Sequence, residues 1–138
     1  MNRSLVRLGF VLFLFALLTG IAIPALTKPQ LGVSAHLIAA MGGLVLVAVG
    51  LIWNGLRLGE TTKRLLSWLW MVALFGNWLQ TLTAAIVGGT HLMSIASGGA
   101  PPPSTGETIL SAVIILVSLV AVIATGLTIW GLRGNGSE

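Results

Sequence analysis

Apolar residues run along this chain in four long stretches with almost no polar interruption. No charged side chain falls between Arg7 and Lys28 (20 residues), Lys28 and Arg57 (28), Arg64 and Glu107 (42), or Glu107 and Arg133 (25). Each gap holds the ~20 apolar residues that a helix needs to cross the hydrocarbon core of a bilayer. The pattern predicts an all-α chain, an integral membrane four-helix bundle. Its helices are expected at about 5–26, 34–56, 65–87 and 108–132, within a single membrane domain spanning 1–138. Pro24 and Thr27-Lys28-Pro29 punctuate the first exit, and Ser34 is placed to cap the second helix. Gly88-Gly89 stops the third, Thr105 with Glu107 is placed to open the fourth, and Gly131, Gly134 and Gly136 mark the exit. Between helices three and four, residues 88–107 read as a flexible external loop, with Ser97-Gly98-Gly99-Ala100-Pro101-Pro102-Pro103-Ser104 as its low-complexity centre.

Composition narrows the class further. Ten charged residues (7%) accompany 56% hydrophobic ones among 138, whereas a soluble domain carries roughly 25% charged residues. A soluble enzyme, a disordered chain and, with no cysteine, a disulfide scaffold are excluded. The net charge of +4 is no nucleic-acid footprint, because seven scattered cations form no basic stripe. They report topology instead. Arg3, Arg7, Arg57, Lys63, Arg64 and Arg133 fall on one side of a four-span chain and Lys28 on the other, so both termini are expected in the cytoplasm, with the protein multi-pass in the inner membrane. The start from Asn2-Arg3 to Arg7 also resembles a signal peptide with a weak cleavage site at Ala22 to Ala25. Its apolar run exceeds the usual ~7 to 15 residues, and it is read as a span.

Polar residues at membrane depth are the candidate chemistry, since they are costly there unless used. His36 stands about one turn inside helix two. Its face continues through Ala39, Ala40, Gly43 and Val47, a surface nearly stripped of side-chain volume against which a flat ligand could lie. Two readings stand: an imidazole ligating haem iron, or a histidine hydrogen-bonded to a neighbour at the interface. In helix three, Asn77, Gln80, Thr81 and Ala84 share a face at i, i+3, i+4 and i+7, either as interhelical hydrogen-bonding groups or as the wall of a pocket that orients a substrate. Ser111, Ser118 and Thr125 form a stripe on helix four, and Ala35-Ala39-Gly43 one on helix two, both read as packing faces. Trp53, Trp68, Trp70 and Trp130 read mostly as interfacial anchors, with Trp78 also placed to line an aromatic-accepting cavity. His91 falls in the external loop, where solvation is the default, and no Cys, Asp or Glu joins the two histidines into a metal motif. The three acids, Glu60, Glu107 and Glu138, lie outside the apolar runs, so carboxylate acid–base chemistry has no members at depth and an enzyme here would borrow its electrophile. A proton-coupled transporter, which also fits four short helices, would need the missing carboxylate.

Three stretches carry a family resemblance: Leu31-Gly-Val-Ser-Ala-His36-Leu with Gly50-Leu-Ile-Trp-Asn54, Gly76-Asn77-Trp78-Leu79 with Thr81-Leu-Thr-Ala-Ala85, and Trp130-Gly-Leu-Arg-Gly134. Together they resemble the hydroxylaminobenzene mutase and styrene oxide isomerase family of small four-helix membrane proteins. The resemblance implies a homotrimer binding ferric haem b between subunits, with His36 as the axial ligand. The iron then serves as a Lewis acid toward the oxygen of a small aromatic substrate, either a hydroxylamine rearranged to an aminophenol or an epoxide opened to an aldehyde. Two positions depart from the pattern: Gly42 stands where the family often has asparagine, and Thr81 where epoxide isomerases have tyrosine, a residue this chain lacks. The retained Asn77-Trp78 makes the mutase-like branch the closer match, with Asn77, Gln80 and Thr81 as candidate substrate-positioning groups. The alternative is a non-catalytic membrane subunit or a haem-carrying structural protein.

Overall fold

The computed structural model describes residues 1–88 and 105–133. Its four long helices are α1 (Arg3–Ala22), α2 (Pro29–Ile52), α3 (Glu60–Val87) and α4 (Thr105–Gly131). All four are long and apolar enough to cross a membrane. Single 3-10 turns, Ile23–Ala25 and Trp53–Gly55, extend α1 and α2.

The helix starts follow local chemistry. Asn2 caps α1 through its side-chain oxygen, which accepts from the amides of Ser4 (3.1 Å) and Leu5 (3.3 Å). The second helix begins at Pro29, five residues before the expected start, because proline at the first helical position has no amide to leave unpaired. Ser34 is therefore interior, not a cap, and donates back to the Gln30 carbonyl at 3.2 Å. Likewise α3 starts at Glu60, so Lys63 and Arg64 are helical residues, with Lys63 3.9 Å from Glu60. Gly88 ends α3 with φ +109°, a left-handed conformation that glycine adopts without a Cβ penalty, and its amide reaches the Ala84 carbonyl at 3.0 Å. Thr105 is itself the first residue of α4; the Glu107 side chain, Gly89, His91, the 97–104 stretch, Gly134, Gly136 and Glu138 lie outside the described residues.

Packing is led by α2, which rests against both α1 and α3, while α4 packs chiefly on α3. The α1–α2 seam is a backbone contact. A Cβ built on Gly43 would lie 2.6 Å from the Gly9 carbonyl oxygen, and one on Gly50 2.8 Å from Val6 Cγ2. Small residues permit this approach, the usual basis of helix association where lipid removes the hydrophobic drive. The α3–α4 seam uses Val117, Ala124 and Thr128, all buried, and the Trp70 indole donates to the Thr128 hydroxyl at 3.0 Å. Trp70 is thus a core residue and not an interfacial anchor, whereas Trp68 and Trp130 are exposed. Ser118 and Thr125 are also exposed and donate to the Ile114 and Ala121 carbonyls of their own helix. Their stripe is not the face that packs on α3.

Candidate functional site

His36 lies seven residues into α2, about 10 Å from the helix start at 1.5 Å per residue. It is half-buried, and its Nδ1 is 2.7 Å from the Ala16 carbonyl oxygen of α1. A carbonyl can only accept, so Nδ1 carries the proton and, in the neutral ring, Nε2 keeps its lone pair. A hydrogen bond of this kind on one ring nitrogen prepares a histidine to ligate through the other. Gly20, one turn further along α1, lies against the same ring.

The bed of small residues beside His36 divides in two. Ala39 is fully buried, and Gly43 faces the Gly9 backbone, so α1 occupies that part of the face. Ala40 is half-buried and shares the outer face with His36, Val33 and Leu44; both Val33 and Leu44 are exposed. Among the described residues the Val33 and Leu44 part of this apolar face is left exposed, while Ala40 also packs against the core.

On α3 the three polar residues do form one constellation. Gln80 is 5% exposed and donates through Nε2 to Asn77 Oδ1 at 3.0 Å, while the Thr81 hydroxyl donates to the Asn77 backbone carbonyl at 2.8 Å. The oxygen of Gln80 is sealed from solvent with no partner among the described residues, and in an apolar interior such an orphan acceptor costs about 1–3 kcal/mol. Asn77 is half-buried, and with its Oδ1 held by Gln80 its amide hydrogens point elsewhere, donating to no other described residue. Thr81 is buried with its proton committed to the backbone.

Thr19 and Trp78 tie α3 to α1. Thr19 is buried in α1, donates to the Phe15 carbonyl at 2.7 Å and accepts from the Trp78 indole at 3.1 Å. Trp78 also stacks on Phe15, with centroids 4.9 Å apart, and Phe75 meets Phe15 edge-on at 6.3 Å. Trp78 is thereby engaged with α1. His36 meets Ala16 and Gly20, whereas Trp78 meets Phe15 and Thr19. Adjacent residues lie about 100° apart round a helix, so the two contacts use different flanks of α1. No hydrogen bond among the described residues joins His36 to Asn77, Gln80 or Thr81. Thr19 is the residue that sequence reasoning passed over, because a threonine can satisfy its hydroxyl on its own helix and its tertiary partner is 59 positions away.

Among the described residues no three His, Cys, Asp or Glu gather to hold a bare metal ion. A macrocycle brings its own equatorial nitrogens and asks the protein for an axial ligand, which one prepared histidine supplies. The donor set fits that requirement.

Comparison with known proteins gives the family. The family model for styrene oxide isomerase matches residues 1–133. The chain is 36% identical over 132 residues to hydroxylaminobenzene mutase HabB of Ectopseudomonas oleovorans, covering 95% of this chain and 80% of that protein. It is also 36% identical over 99 residues to hydroxylaminobenzene mutase HabA of the same organism, covering 71% of this chain and 73% of that protein. No solved structure matches. The chain belongs to the styrene oxide isomerase family, and with it to the intramolecular isomerases and mutases.

Proposed function

We propose that this member of the styrene oxide isomerase family is a haem b-dependent membrane isomerase that rearranges a small aromatic hydroxylamine to an aminophenol. The carrying observation is the 2.7 Å contact between His36 Nδ1 and the Ala16 carbonyl, which leaves Nε2 as the available lone pair. Both curated relatives are named as hydroxylaminobenzene mutases, which favours this reaction over epoxide opening. Membership in a family named for an isomerase favours catalysis over a purely structural subunit.

His36 would hold ferric haem through Nε2, with Ala40 on the same face; Ala39 and Gly43 would support the site by letting α1 close on α2. The chemistry such a group supplies when bound is Lewis acidity toward a substrate oxygen, with no net redox change. The protein's own contribution is orientation. Gln80 fixes the Asn77 amide, whose free hydrogens can donate to the substrate oxygen, and Thr81 anchors the backbone carbonyl of the same residue. The surrounding helices exclude water, so each such hydrogen bond counts for more than it would in solution.

His36 and Trp78 use different flanks of α1, and on the face beside His36, Val33 and Leu44 are exposed among the described residues. A homo-oligomer in which a second copy covers that face would complete the site. Six cations on one side of the four spans support a reading with both termini in the cytoplasm. Because the chain has no cysteine, single-cysteine labelling at residue 28 and at residue 60 reads the orientation directly: only the first should react from outside the cell.

The deciding experiment is an absorption spectrum of protein purified after expression with adequate haem supply, followed by incubation with phenylhydroxylamine and with styrene oxide. A Soret band with aminophenol formation is expected, and its joint loss in His36→Ala. A spectrum without a Soret band refutes the cofactor; haem retained by His36→Ala refutes the ligand.

A further inference from the structure

We propose that Gly20 is a positioning residue for His36: its missing side chain lets the imidazole settle on α1 with Nδ1 on the Ala16 carbonyl, selecting the tautomer whose Nε2 is free. The haem arm of this inference rests on the reading above; the tautomer arm does not.

A Cβ at position 20 would lie 3.0 Å from His36 Nδ1, 3.3 Å from Cε1 and 3.7 Å from Cγ. The ring edge carrying the hydrogen-bonded nitrogen therefore rests directly over this Cα. At 3.0 Å a Cβ is tighter than nearly all real contacts, and the ring would have to yield by a few tenths of an ångström. The Nδ1 contact it would strain is 2.7 Å long, and bonds of this kind weaken as they lengthen and tilt. The receiving group cannot follow. Ala16 is fully buried, and within α1 its carbonyl is also the i−4 partner of the Gly20 amide, so the helix holds the acceptor still. One glycine thus sits under both ends of the interaction. A glycine inside a helix lowers its intrinsic stability, so its use here is explained by the ring it makes room for.

The test uses full-length protein carrying His91→Ala, so that His36 is the sole histidine, with 15N-labelled histidine in bilayers. The unsubstituted position 20 should show a protonated Nδ1 and a bare Nε2. Gly20→Ala should show both tautomers and bind added haemin at least about tenfold more weakly, the usual scale for losing the hydrogen bond that orients a metal-ligating histidine. Alanine raises helix propensity, so the variant is expected to stay helical by circular dichroism. Gly20→Ser provides a second, graded perturbation, and Thr19→Val, which touches Trp78 and not His36, should leave the histidine signals unchanged. Wild-type signals and haemin affinity in both position-20 variants would overturn the proposal, as would an Nε2-protonated His36 in the parent. A parent that binds no haemin yet shows the expected tautomer, lost in Gly20→Ala, would refute the cofactor and uphold the positioning role.

Discussion

Replacing Gly43 by alanine inserts one methyl group into the closest approach of α1 and α2. The added Cβ would lie 2.6 Å from the Gly9 carbonyl oxygen, 3.0 Å from the Phe13 amide nitrogen and 3.2 Å from Phe13 Cβ. Two of these three neighbours are backbone, so no rotamer change relieves the clash and α1 itself must move. Overpacking of this kind costs typically 1–3 kcal/mol, against a gain of up to about 1 kcal/mol from helix propensity. The net expectation is a loss of roughly 0–2 kcal/mol. Gly126→Ala in α4 isolates the propensity part, because a Cβ there meets nothing within 4 Å, and it should stabilise by up to about 1 kcal/mol. Reversible unfolding in mixed detergent micelles, followed by circular dichroism, should place the two variants about 1–3 kcal/mol apart. Displacement of α1 also carries Ala16 away from His36, so Gly43→Ala should weaken haem binding at a distance from the ring. A Gly43 variant as stable as the Gly126 variant would refute the backbone-contact account of this seam.

Other expectations follow from single hydrogen bonds. Thr128→Val strands the buried Trp70 indole N–H and should cost about 1–2 kcal/mol; Trp70→Phe in the same background should restore part of it, which a double-mutant cycle measures. Gln80→Leu removes both a bond and an orphan oxygen, so stability should change by less than about 1 kcal/mol while turnover falls, because Asn77 loses its anchor. Unchanged turnover would show that the α3 constellation serves assembly alone. Thr19→Val frees the Trp78 indole and should shift tryptophan emission with little effect on the Soret band; a lost Soret band would place Thr19 in the cofactor site.

The spacing of ten charges was enough to set the fold class. A charge in hydrocarbon is costly, so long gaps between charges mark spans whatever the side chains within them do. The same reasoning singled out His36 and the Asn77, Gln80 and Thr81 face, since polar groups at depth stand out against an apolar background. Helix starts were less legible: Ser34 offered a familiar cap, yet Pro29 opened α2 earlier because proline suits the first helical position and packing carries the helix through Gly32.

What the tertiary structure alone decided is which faces meet. In water an apolar stripe marks the buried side of a helix, but in lipid every side is apolar and the stripe carries no instruction. The flank of α4 bearing Ser118 and Thr125 therefore read as a packing seam although the contact runs through Val117, Ala124 and Thr128, and the bed beside His36 read as open although α1 fills half of it. The partners of His36 and Trp78 are a backbone carbonyl 20 positions away and a hydroxyl 59 positions away. A carbonyl belongs to every residue and leaves no mark in a sequence, so the group paired with His36 Nδ1 became visible only when α1 and α2 closed on their glycines.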